Sequence, residues 1–397
     1  MSAVCSRPAA APSAMVALLP IMAAVSIAFL VIGIALPVLP PHVHRDLGLS
    51  NFVVGLVAGS QFVASLLSRV WAGQFSDTRG AKRAVIAGLL AAVAGGLLYL
   101  LSLRFVGAPW VSVTILLLGR ALLGGAESFI ITGGVTWGLA RVSPAYAGRV
   151  IAWVGMAMFA ALALGAPLGT ALYAIDGFEA IAVVTTLVPL ATIALVVPLA
   201  GTLPQRSARS SLLKVARAVW MPGVGAALSS IGFGTMIAFS SLWSAERHWS
   251  PVWLLFSVFA ASLVAARLFL GHIPDKLGGA RVALVSVLIE AAGLALIWLA
   301  PTRALAAAGA LFTGFGFALV YPGLGVEAVR RVPPQNRGLA MGAYTAFLDI
   351  ALGFGSPALG LVATWAGLGT VFLAGALIVL CAAAVAVRLL RASRPEH

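Results

Sequence analysis

A handful of ionisable residues stand in runs that are otherwise almost wholly apolar. Arg120 and Glu127 lie seven apart in "ILLLGRALLGGAESFIITGG", Asp349 interrupts "AFLDIALGFG", and Glu290 interrupts "VSVLIEAAGLAL". On a helix, residues seven apart share a face, and Gly124 lies between Arg120 and Glu127 on it. A charged group in hydrocarbon costs about 2.5–3.5 kcal/mol on insertion scales unless it is paired or wet. A carboxyl that gains and loses an arginine neighbour, or water, can release and take up a proton. Asp349 is therefore a candidate proton carrier or partner of a cationic solute, against the plainer reading of an interhelical hydrogen bond. Arg120 and Glu127 are either a coupling pair or a structural ion pair, and Arg120 alone could hold a carboxylate. Gln61 is a neutral polar candidate. Phe233, Trp243, Phe317 and Tyr321 are candidate cavity residues, although aromatics more often pack or face lipid. Glu290 is expected to serve packing.

These residues need elements that cross a membrane. The 397 residues are 61% hydrophobic and 9% charged, with mean hydropathy +1.08. A soluble particle has too little polar surface to coat such a chain. Runs long enough to span fall near 15–39, 51–72, 84–102, 110–139, 148–172, 178–200, 219–243, 252–271, 281–300, 304–328, 337–362 and 367–390. They lack the ten-residue alternation of barrel strands, so the expectation is an all-α integral membrane protein of twelve helices. Along this path eighteen Lys and Arg fall on one side and four (Arg45, Arg104, Arg247 and Arg303) on the other. The positive-inside bias then places both termini in the cytoplasm, and the +14 formal charge marks topology rather than a nucleic-acid partner. Cys5 and Cys381 imply no disulfide framework, and residues 15–39 read as a retained first helix, not a cleaved leader.

A short charged phrase occurs twice. "GQFSDTRGAKR" at 73–83 and "GHIPDKLGGAR" at 271–281 align Arg69, Gly73, Asp77 and Gly80 with Arg267, Gly271, Asp275 and Gly278, all 198 positions apart. "RVSPAYAGR" at 141–149 aligns with "RVPPQNRGL" at 331–339, and "GAP" at 165–167 with "GSP" at 355–357, both 190 apart. The chain therefore reads as two six-helix halves, 1–200 and 217–397, joined by a polar connector at 201–216. Two repeats around a site near the bilayer midplane are the plan of a secondary transporter.

At these residues the chain resembles the major facilitator superfamily over essentially its whole length. Gly73, Asp77, Gly80 and Arg83 follow that family's loop 2–3 signature, and Gly271, Asp275, Gly278 and Arg281 are its degenerate loop 8–9 twin. "RALLGGAES" resembles its fourth-helix motif. Gly165, Pro167 and Gly169 resemble its antiporter fifth-helix motif, but Ala166 intervenes where that motif has Gly directly before Pro. The resemblance implies that Asp77 and Asp275 sit beside the N-termini of the eleventh and fifth helices when the cytoplasmic side closes. Gly73 and Gly271 would permit close helix approach. Glu327 could pair with Arg281, whereas the register-matched position in the first half is Trp137.

The expected function is secondary transport of a small organic solute by alternating access, as proton-coupled efflux. The alternatives are a proton symporter of a sugar or organic acid, or a membrane sensor or scaffold. No enzyme and no cofactor are expected, the proton gradient serving as energy source. His42 and His44 lack a third ligand, so no metal is expected either, and no phosphate loop for ATP is present. The partners are the solute, protons and lipid; the chain is expected to be a monomer in a bacterial inner membrane.

Overall fold

The computed structural model describes residues 11–142, 147–201, 212–333 and 337–392, with the side chains of 11–17, 147–152, 156, 159, 212, 213, 275, 337 and 338 left aside. Most of the connector therefore lies outside the described residues. Helix accounts for the described secondary structure, and ten helices are long and apolar enough to cross a membrane. The membrane segments are α1 (Ala11–Ala35), α2 (Asn51–Arg79), α3 (Ala81–Leu103) and α4 (Pro109–Leu139). The next helix, Ala147–Val196, leaves helical geometry at Asp176 and Gly177. That break divides it into α5 (147–175) and α6 (178–196), which supplies the fifth and sixth expected spans. Then follow α7 (Leu212–Glu246), α8 (Leu254–Leu270), α9 (Gly279–Leu299), α10 (Arg303–Arg330), α11 (Arg337–Ala366) and α12 (Thr370–Ala392). At 17 residues α8 is the shortest. All twelve expected spans are accounted for.

The helices overrun the hydropathy boundaries for a physical reason. A helix of 29 residues such as α2 is about 43 Å long at 1.5 Å per residue, well beyond a hydrocarbon core of roughly 30 Å. The charged phrase is thus the last two turns of α2 and the start of α3, and a single glycine, Gly80, turns the chain between them. Its φ of 97° and ψ of 146° lie in a region open only to glycine. Gly278 repeats this conformation at φ 90° and ψ 133°. One half differs here: Pro274, without an N–H to donate, follows the end of α8 and starts a separate short helix, Ile273–Leu277. Replacing Gly80 with Ala is expected to cost about 1–3 kcal/mol of stability, read as a lower unfolding midpoint of purified protein in micelles.

Packing repeats with the sequence offsets. A Cβ on Gly124 of α4 would strike the Gln61 carbonyl of α2, and one on Gly314 of α10 the Phe259 carbonyl of α8. Gly95 and Gly119 bring α3 against α4 as Gly293 and Gly309 bring α9 against α10. Without a hydrophobic force between helices in lipid, such close backbone approach supplies the packing.

Between halves the contact is uneven. Let the near face be that where α1 begins and α12 ends, and the far face its opposite. At the far ends of α2 and α11 there is no room for a Cβ: Gly55 meets Ser356 and Pro357, Gly59 meets Gly353, and Gly360 meets Asn51. Closer to the near face, a Cβ on Gly73 or Gly342 would meet nothing within 4 Å. The two helices converge at the far face and part toward the near face. Gly73 therefore makes no close helix approach in this conformation, and the nearest atoms at Gly271 belong to the preceding turn of its own chain.

Candidate functional site

One stripe of α2 organises the polar interior. Val57, Gln61, Ser65 and Arg69 recur every fourth residue, so they share a helix face. The Val57 carbonyl accepts from Arg120 Nε at 3.3 Å. Gln61 Nε2 donates to Glu127 Oε2 at 2.8 Å. Ser65 and Ser128 join through their hydroxyls at 3.0 Å. Arg69 crosses to the other half and forms an ion pair with Asp349 of α11. Gly124 makes this possible, because any side chain there would push α4 off the Gln61 carbonyl.

The candidates Gln61, Glu127 and Asp349 thus come together, with Arg69 as the residue that sequence reasoning passed over. It appeared only as a register match to Arg267. Subtraction held the signal: of 25 Lys and Arg, only Arg69, Arg120 and Arg267 lie more than two residues inside the apolar runs. Glu127 lies within electrostatic range of both Arg69 and Arg120, and Asp349 within range of Arg69 and Glu127. Two bases and two acids form one interior network spanning both halves. Arg120 and Glu127 are not a direct pair, since seven residues separate them by about 10 Å along the axis.

The second half places aromatic rings at the equivalent positions. Gln61 and Glu127 correspond to Phe259 and Phe317, and Phe233 of α7 stacks on Phe317 at 5.1 Å between centroids and lies 5.7 Å from Phe259. Phe233 and Phe317 thus join one wall. Trp243 lies apart, near the far end of α7 against Trp249 and Phe372. Tyr321 lines a neighbouring polar patch: its hydroxyl bonds Thr345 at 2.8 Å, its carbonyl accepts from Tyr344 at 2.8 Å, and Arg267 lies over its ring at 5.7 Å. Thr345 is one turn before Asp349 on α11, so this patch adjoins the ion pair. Glu290 is fully buried inside the second half and bonded by Ser229 Oγ at 2.5 Å; it joins α9 to α7 and does not reach the network.

The loop residues divide. Arg83 and Arg281 are exposed, and the Asp275 side chain lies outside the described residues. Asp77 occupies the last turn of α2, one turn from Gly73. Glu327 does not pair with Arg281: it is held by Arg330 and Arg331 of its own helix and segment, at 3.8 and 3.6 Å. These bases lie three and four residues on, a spacing that brings them to the same face. In the first half the carbonyls of the turn that follows α6 take the place of an acid. Lys82 Nζ donates to Val197 and Leu199, each at 2.6 Å, Arg141 donates to Ala200 at 2.5 Å, and Trp137 Nε1 to Ala200 at 3.2 Å. These carbonyls lie just beyond a helix C-terminus, whose partial negative charge suits the cations. Lys82 therefore has a structural partner beyond any topological role. Gly165 and Gly169 seat α5 on the backbone of Gly33 and Ile34 in α1, so the fifth-helix motif forms a seam within the half, with Pro167 between them.

The sequence matches the profile of the Major Facilitator Superfamily over residues 21–278 and again over 223–397. The chain belongs to the Major Facilitator Superfamily. It is 44% identical over 379 residues to an uncharacterized MFS-type transporter of Salmonella typhimurium, covering 96% of this chain and 98% of that one. A relative from Burkholderia pseudomallei, also an uncharacterized MFS-type transporter, is 43% identical over 366 residues, or 91% and 88% of the two chains. Solved structures share the fold at low identity. A bacterial homologue of the human lysosomal transporter Spinster, inward-facing and occupied, aligns with TM-score 0.78 at 15% identity over 96% of this chain and 98% of that chain. The nucleoside transporter NupG aligns with TM-score 0.70 at 15% identity over 94% and 99% of the two chains. Membership makes this a multi-pass protein of solute transport, and the polar network lies where the two six-helix halves of the superfamily fold meet.

Proposed function

We infer that the protein moves a small organic solute by alternating access, coupled to protons and in the direction of efflux. The observation that carries this reading is the Arg69–Asp349 ion pair across the halves, continued by Glu127 and Gln61. A pair whose members belong to different halves is made and broken as the halves rock. Breaking it leaves a carboxylate whose proton affinity must change, which ties proton movement to conformation. The Lys and Arg bias assigns the near face to the cytoplasm of a bacterial inner membrane, so the converged far ends of α2 and α11 describe a state closed to the outside. Asp77 is the proposed latch of the opposite state, docking at the N-terminus of α11 when the near face closes.

Solute-dependent proton movement in inverted membrane vesicles, across drugs, sugars and organic acids, tests the reading. Alkalinisation of the proton-loaded lumen on adding solute supports antiport; no movement of any solute or proton removes the transport mechanism proposed. Arg120 keeps one second reading in view, proton symport of an organic acid, for which the sign of the pH change reverses. Asp77→Asn is expected to insert normally yet slow turnover several-fold, with more of the protein open at the near face by cysteine labelling. An unchanged rate leaves the loop without a latch.

A further inference from the structure

Among the described residues, Arg120 is the one Lys or Arg with no exposed surface. Its Nε is bonded to the Val57 carbonyl, but neither Nη1 nor Nη2 has a partner. The hydroxyl of Tyr99 is fully buried beside Arg120 and close enough to interact with it, though no hydrogen bond of ordinary geometry joins them. Burying a guanidinium whose terminal donors make no hydrogen bond is costly. Glu127, the acid on the same helix, lies within electrostatic range of Arg120 but takes its hydrogen bond from Gln61. Arg120 lines a cavity of about 10 Å³ together with Leu36, Val57 and Ala58 of the first half and Ile237 of the second. One turn from Ile237 on α7, Phe233 lines a second inter-half cavity with Leu162, Phe256 and Phe259. Ile237 and Phe233 share a helix face, so a lone cationic fork and an aromatic wall lie in succession along the interface between halves.

We propose that Arg120 anchors the carboxylate of an aromatic organic acid, whose ring system lies one helical turn away against Phe233, Phe259 and Phe317. The fork of donors matches a carboxylate two to two. A single guanidinium among aliphatic walls, with the Glu127 carboxyl already within electrostatic range, leaves room for at most one more negative charge, which selects a monoanion over a phosphate dianion. Offset stacking on Phe233 and Phe317 favours a flat ring over an alkyl chain. The replacement of Gln61 and Glu127 by Phe259 and Phe317 in the second half is what makes the site two-faced. In the described state the site is collapsed to water-sized space, and it widens as the halves part. The proposal rests on the transport reading for the solute's route, while its binding chemistry is independent of direction and coupling.

The probes are 2-naphthoate, 2-naphthylmethylamine as its cationic counterpart, and octanoate as its aliphatic one, each bound to the purified full-length protein by equilibrium dialysis. Naphthoate is expected to bind in preference to both. Arg120→Gln should weaken naphthoate about tenfold or more without changing the amine. Phe317→Leu, which keeps the charge and a core-sized side chain, should weaken naphthoate about threefold and leave octanoate unchanged. Naphthoate that fails to bind, binds no better than the amine, or binds both variants as well as the parent overturns the proposal. Proteoliposome flux separates the two readings. If sugars or cations move with protons while naphthoate neither moves nor competes, the proposal fails and transport stands. If naphthoate binds through Arg120 but no solute moves, the site stands and transport fails.

Discussion

Asp349→Asn is expected to lower proton-coupled movement of solute by about 100-fold or more while leaving solute exchange across the membrane. Asp349 is 4% exposed and is the acid that Arg69 contacts from the other half. Asparagine has the shape of the protonated carboxyl but cannot release a proton. The variant should therefore behave as though permanently loaded, able to cycle with solute on both faces but unable to exploit a proton gradient. Losing one member of a buried pair costs about 3–5 kcal/mol, which as a barrier is a fall of about 100-fold or more in coupled rate. Asp349→Glu should retain part of the activity, since the titratable group survives one methylene out of place. Arg69→Gln breaks the same pair from the other side, and is expected to lower the coupled rate to a similar extent. Vesicle flux with and without an imposed pH gradient measures all three. A coupled rate in Asp349→Asn equal to that of the parent would sink the coupling role and leave the pair a structural tie.

Gly59→Val should prise open the far face. The added Cβ would collide with the Gly353 carbonyl and crowd Pro357. Backbone is the obstacle, so no rotamer change relieves the clash, and the halves must separate. Overpacking a tight seam costs typically about 1–3 kcal/mol. Paid only in the far-closed state, that amount shifts the conformational equilibrium toward far-open by about 5- to 150-fold. Labelling of a cysteine placed at Val57 by a membrane-impermeant reagent from the far side is expected to rise by a comparable factor, with loss of net transport. Gly73→Val at the near end of the same helix is the control, because an added Cβ there meets nothing within 4 Å in the described state. Equal labelling of Gly59→Val and parent would show that this seam does not close the far face.

Much of this was legible in the chain itself. Length and hydropathy of the apolar runs place every helix, because a lipid solvent leaves the backbone no other way to satisfy its N–H and C=O groups. The paired offsets identify equivalent positions closely enough that Gly124 and Gly314 meet the carbonyls of Gln61 and Phe259, which are themselves 198 apart. The positive φ of Gly80 and Gly278 follows from needing a one-residue turn between antiparallel helices. Asp349, Glu127 and Gln61 stood out because polar groups in hydrocarbon require partners.

The identity of those partners was not legible. Arg69 lies near the end of an apolar run, where hydropathy treats a long basic side chain as snorkelling to the interface. Its partner is 280 residues away on the other half, and no local spacing encodes that meeting. Glu327 likewise takes Arg330 and Arg331 instead of Arg281, and Lys82 serves carbonyls just beyond a helix end, which carry no sequence signature at all. Intramembrane polarity is thus a property of composition, determined by the sequence alone through the cost of charge in lipid. Which charge meets which, which face of the protein is closed, and that the terminal nitrogens of Arg120 are left without a hydrogen bond depend on the packing of twelve helices, so only the tertiary structure decides them.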